Sequence, residues 1–188
     1  MPWTPTAEVR ARAGAQHVAY EGPPQWEGRT SCAGDLSPGS KALCRSLRAV
    51  DHNVSRCEGY ECLPSSLQSG VASMHATGRA LDVFIRGAPG DALAGWLVSH
   101  AEAIGVQYVI WDRTQWSSAH GFTAYGGPSP HDDHIHLELT HAAAAMQTRF
   151  FHEGIPAEGS STGLWAAGTA LVLGYVFRED LAALWRSR

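Results

Sequence analysis

His131-Asp132-Asp133-His134-Ile135-His136-Leu137-Glu138-Leu139 is the stretch from which the rest of the chain can be read. Its second part, HIHLEL over residues 134–139, reads as a β-strand. Side chains alternate across a strand, so His134 and His136 point to the same face. Upstream, Ser73-Met74-His75-Ala76-Thr77-Gly78-Arg79-Ala80-Leu81-Asp82 places His75 at the end of a loop. Asp82 falls on the strand that follows, ALDVFI over residues 80–85, and Gly78 permits a close turn between the two.

Between these segments, Pro89-Gly90-Asp91 opens a helix with Asp91 as its N-cap. Leu93, Trp96, Leu97, His100, Ala101 and Ile104 then recur at helical spacing until Gly105. VQYVIW at 106–111 is a second strong strand. The stretch from there to His134 reads as a loop of about twenty residues carrying Trp116, Tyr125 and Gly126-Gly127-Pro128, and loops that long are usually functional. Nearer the N-terminus, residues 40–53 read as a helix with Leu43, Leu47 and Val50 on one face, and 57–70 as a stapled loop. The expected layout is an extended lead-in (1–38), a small mixed α+β domain (39–152), a linker (153–162) and an apolar C-terminal helix (163–186).

Composition narrows the function. The chain has 188 residues, 44% hydrophobic and 17% charged, enough apolar material for a packed core. Its formal charge is −4 with no Lys/Arg-rich run, which argues against nucleic acid as a partner. Ten histidines are many for this length, and five lie between His120 and His141. Imidazole and carboxylate suit Zn²⁺, and three protein ligands leave a fourth position for water. With one histidine on the metal and its strand neighbour beside the water, the set suits metal-assisted hydrolysis.

The SxHxxGxAxD pattern (Ser73, His75, Gly78, Ala80, Asp82) followed by HxH (His134, His136) resembles the bacterial LAS metallopeptidases, which include D-Ala-D-Ala peptidases and the hedgehog signalling domain. The run YVIWDRTQWS…GGPSPHDDHIHLEL is similar to actinobacterial secreted cell-wall hydrolase domains. The likeness covers roughly residues 57–139. It implies a hedgehog/DD-peptidase-like α+β fold with a central antiparallel sheet flanked by helices. It implies one zinc ion per chain on His75, Asp82 and His136, with His134 as catalytic base and Asp133 its rival. It implies peptidoglycan as partner and substrate, with a peptide bond of stem peptides or crosslinks hydrolysed by D,D-carboxypeptidase or endopeptidase action. Relatives carry an upstream arginine that holds the substrate; Arg56 is the match in position and Arg79 the reserve. Ser73, Trp111, Tyr125 and His131 are further candidates for the substrate cleft, and Trp116 for its wall; Trp111, at a strand end, also reads as core. The alternative is a non-catalytic zinc module that binds cell wall or serves in a phage-tail or injection apparatus.

Cys32, Cys44, Cys57 and Cys62 suggest two disulfides and an oxidising, extracytoplasmic site of action. Four reduced core thiols or a zinc site are the alternatives, the latter without any CxxC pair to support it. Proximity suggests Cys32–Cys44 and Cys57–Cys62. The N-terminus lacks the apolar segment of a secretory signal peptide. Residues 159–177 contain no charged side chain, which reads either as a short membrane anchor with Trp165 and Tyr175 at the interfaces or as a packed helix.

Overall fold

A computed structural model describes residues 1–154. The C-terminal apolar helix at 163–186, and with it the membrane-anchor reading, lies outside these residues. Among the described residues no helix is long and apolar enough to cross a membrane.

The elements run α1 (Ala7–Gly14), α2 (Pro38–Val50), β1 (Arg56–Glu58), a 3-10 turn (Met74–Thr77), β2 (Ala80–Phe84), α3 (Gly87–Ser99), α4 (Ala101–Ile104) and β3 (Val106–Trp111). They continue through β4 (Thr114–Ser117), β5 (Gly121–Ala124), β6 (His134–Leu139), α5 (His141–Ala144) and α6 (Arg149–Glu153). The fold is α+β, with one six-stranded sheet in the order β1-β2-β6-β3-β4-β5. Every neighbouring pair is antiparallel.

Alternation along the strands divides the sheet into two unlike faces. Leu81, Val83, Ile135, Leu137, Val109, Trp111 and Trp116 join the main core, with Leu43 and Leu47 of α2 and Leu93 and Leu97 of α3. The opposite face carries Asp82, Phe84, His134, His136, Glu138 and Tyr108, in register across β2, β6 and β3. Helix α2 starts as its sequence dictates. Ser37 caps it by accepting from the Ser40 amide, and Pro38 occupies the first turn, where no amide hydrogen is needed.

Several expectations need correction. The disulfides are Cys32–Cys62 and Cys44–Cys57, not the neighbours in sequence, because folding brings the loop after β1 beside the segment before α2. Two disulfides suit an oxidising extracytoplasmic environment. Residues 1–38 are not wholly extended: they contain α1, and Trp3 is buried against Phe122 at a ring separation of 5.6 Å. Asp91 does not cap α3, which begins four residues earlier at Gly87 without a side-chain cap. Asp91 instead accepts a hydrogen bond from the Trp111 indole at 2.8 Å. Gly90 lets α3 approach that ring, since a Cβ there would overlap it. The expected long loop after β3 contains the hairpin β4–β5, with Trp116 1% exposed in the core rather than at a cleft wall.

Candidate metal centre

Two adjacent strands and one short turn build the site. Asp82 of β2 lies directly opposite His136 of β6. His75 reaches them from the 3-10 turn, which Ser73 caps by accepting from the His75 amide. Gly78 closes the turn at φ 70°, and a Cβ there would strike the Asp35 carbonyl. Nδ1 of His75 is bonded to the Gly59 carbonyl, so that nitrogen keeps the proton and Nε2 carries the lone pair. Nε2 stands 3.7 Å from Asp82 Oδ2, while His136 Nδ1 stands 3.0 Å from Asp82 Oδ1. The three ligand atoms all lie within 4.8 Å of one another. Ligands about 2.1 Å from a tetrahedral zinc ion are roughly 3.4 Å apart, so this donor set fits such an ion with little rearrangement.

Charges in the group are strongly coupled. Burial disfavours the His136 imidazolium, yet the hydrogen bonds and charges of Asp82 and Glu138 outweigh it and raise His136 to about 9. Burial likewise opposes the Asp82 carboxylate, but His136 and its neighbours hold the group below the usual carboxylate range. His75 is lowered, first by burial and then by the charge of His136. One proton thus stands on His136 where two carboxylates converge, and a metal cation can take over its role.

His134, one register position along β6, donates from Nδ1 to Asp133 Oδ1 at 2.7 Å. Its hydrogen bond to His134 lowers the Asp133 carboxyl. Asp133 is therefore engaged in orienting His134. His131 closes the cluster, with ring centroids 4.8 Å from His134, 5.9 Å from His136 and 5.0 Å from Tyr125. Its backbone is held at φ 53°, and the amide of Asp112 bonds its carbonyl. Burial pushes His131 down to about 4, so the ring is neutral at physiological pH. Nδ1 is bonded to the Ser129 carbonyl, which leaves Nε2 as the acceptor.

The sequence from residue 32 to residue 136 matches the family described as VldE, C-terminal domain. The chain belongs to that family. No curated protein and no solved structure matches it. The matched segment of this VldE C-terminal domain takes in all four cysteines and the His75, Asp82, His131, His134 and His136 cluster.

The remaining candidates of this VldE C-terminal domain divide cleanly. Tyr125 stands at the cluster beside His131. Arg56 lies at its rim: the guanidinium sits 3.6 Å from the centre of the Phe84 ring, which in turn packs on His134 at 5.2 Å. Glu58 pairs with Arg56 at 2.7 Å, and the arginine side chain is half exposed. Ser73 serves as the turn cap. Trp111 does not join the site, being 1% exposed on the core face of β3. Arg79, the reserve, is buried and donates to the carbonyls of Leu139, Glu21 and Gly22. Sequence reading missed Glu138, which is 6% exposed with Oε1 3.4 Å from His136 Nε2. Its signal was the spacing of two from His136 on the same strand.

Proposed function

We propose that the protein is a zinc-dependent peptidase of the LAS type, acting on peptide bonds of peptidoglycan stem peptides or crosslinks. The observation that carries this reading is the convergence of the ligand atoms of His75, Asp82 and His136 within 4.8 Å, beside a third histidine, His134, oriented by a carboxylate. Two imidazoles and one carboxylate leave a position free of protein ligands, the donor set of catalytic rather than structural zinc sites. A bound zinc ion supplies Lewis acidity, acidifying water and polarising a carbonyl.

The chain's own residues supply the rest. His134 has Nδ1 committed to Asp133, so Nε2 is the nitrogen that takes a proton from the attacking water and returns it to the leaving amine. Asp133 holds the ring in that tautomer. Tyr125 and the neutral His131 border the cluster, where substrate passes. Arg56, held over the Phe84 ring, offers a cation at the rim for a substrate carbonyl or carboxylate. An oxidising compartment, as the disulfides suit, is where peptidoglycan is met.

The test is incubation of zinc-loaded protein with isolated peptidoglycan, with soluble products read by mass spectrometry. New termini within stem peptides or crosslinks are expected and would name the bond. His134→Ala should lower hydrolysis by about 10²–10⁴-fold with zinc retained. Absence of any new terminus with zinc bound would replace the peptidase reading with a zinc-dependent binding module. Full activity in His134→Ala would overturn the assignment of the base.

A further inference from the structure

The polar face of the sheet holds a second layer of buried groups behind the metal-ligand cluster. Strand β3 bulges against β6: Val106 pairs with Leu139 and Tyr108 with Glu138, so Gln107 is the extra residue. Bulges re-aim side chains, and here the Gln107 side chain, 0% exposed, meets Glu138. Its Nε2 donates to Glu138 Oε2 at 3.2 Å. The amide cannot be turned round. Oε1 accepts from the Glu21 backbone amide at 3.0 Å, and Nε2 also donates to the Glu21 carbonyl at 3.2 Å. Both hydrogens and the oxygen of Gln107 are thereby used. The other oxygen of Glu138 faces Nε2 of His136 at 3.4 Å.

That arrangement decides which nitrogen of His136 is available. A neutral imidazole carries one hydrogen. A lone pair on Nε2 would face a buried carboxylate, which is repulsive; a hydrogen there makes a charge-assisted bond. Without a metal Nδ1 also faces a carboxylate, Asp82 Oδ1 at 3.0 Å, and the imidazolium donates to both. The possible ligand atoms of Asp82 and His75 converge on the Nδ1 side, so when a metal cation takes the place of one hydrogen, the hydrogen that stays belongs on Nε2. Building on the metal reading above, we propose that Glu138, fixed by the bulge residue Gln107, is a positioning residue that holds His136 in the Nε2–H tautomer and so presents Nδ1 to the metal. The fastening reaches back to Glu21, which ties the segment before α2 to the site.

Two measurements test this on the full chain. Zinc affinity, by competition with a chromogenic chelator, should fall roughly 10–100-fold in Glu138→Ala and Gln107→Leu. Glu138→Gln, which keeps an acceptor but loses the charge, should fall less. Long-range ¹H–¹⁵N spectra of the zinc-loaded wild type should show the His136 hydrogen on Nε2 and the metal-shifted nitrogen at Nδ1. The spectral test needs no substitution, so poor folding of a variant leaves the proposal open to refutation. Zinc bound through Nε2, or a folded Glu138→Ala with wild-type affinity, would overturn it. Failure of the wild type to bind zinc at all would instead overturn the metal reading on which it rests.

Discussion

The two faces of β2 and β6 are built from alternate residues of the same strands and obey different physics. On one face Leu81, Val83, Ile135 and Leu137 are 0% exposed and pack into the core with the helices. Their contribution is non-directional and scales with the apolar area buried. On the other, Asp82, His136 and Glu138 are also largely removed from water, but each depends on a partner at a defined distance. Burying a charge is tolerated only when it is paired. The first face makes the protein stable. The second is a pair of carboxylates, Asp82 and Glu138, organised around the protonated His136 ring.

Three measurements can break or sharpen this contrast. The largest effect should come from the core face. Leu137→Ala should lower unfolding stability in urea by about 2–5 kcal/mol, because the cavity left behind adds to the lost transfer energy. Zinc affinity of the folded protein should remain unchanged; a variant that lost zinc while keeping its stability would show that the faces are not separable.

The second concerns pH and belongs to the polar face. Metal-free, His136 is raised to about 9, so the folded state holds a proton that the unfolded state releases above 6.5. Its contribution is complete below 6.5 and is lost as pH rises through 9. His131, pushed down to about 4, and His75, also lowered, act in the opposite sense: their contribution holds above 6.5 and is lost on acidification. Thermal unfolding in EDTA should therefore show a maximum near pH 6.5, with an alkaline loss on the order of 3 kcal/mol. Zinc, which replaces the proton, should flatten the alkaline limb. An alkaline limb as steep with zinc as without it would contradict the exchange of proton for metal.

The smallest effect is expected at Trp111, which the sequence offers both to the substrate cleft and to the core. On the core face, Trp111→Phe forfeits the hydrogen bond to Asp91 and should cost about 1–2 kcal/mol. Peptidase activity should stay within about twofold of wild type. A specific rise in KM without loss of stability would return Trp111 to the cleft.

Much of this protein is legible residue by residue. The strands at Ala80–Phe84, Val106–Trp111 and His134–Leu139 stand where their apolar runs place them. The His75–Gly78–Asp82 spacing and the HxH pair single out the group of possible metal ligands, because turn geometry and strand alternation are local properties. Other features are not local. The helix at Ala7–Gly14 has a weakly amphipathic sequence and is positioned by packing on α3, with Trp3 beside it locked against the β4–β5 hairpin. Strand propensity gives Trp111 a strand but not a side; that is set by its register against β4 and by Gly90 of α3.

The sequence by itself determined strands β2, β3 and β6, the turn at Gly78 and the identity of the histidines and carboxylate that could share an ion. Only the tertiary structure decided which cysteines pair, which tryptophans are core and that Glu138 and Gln107 stand behind His136. Those outcomes depend on strand order, on a one-residue bulge in β3 and on residues far apart in the chain meeting across the sheet. A bulge reverses the alternation from which sidedness is read, and nothing in the local pattern marks where it falls.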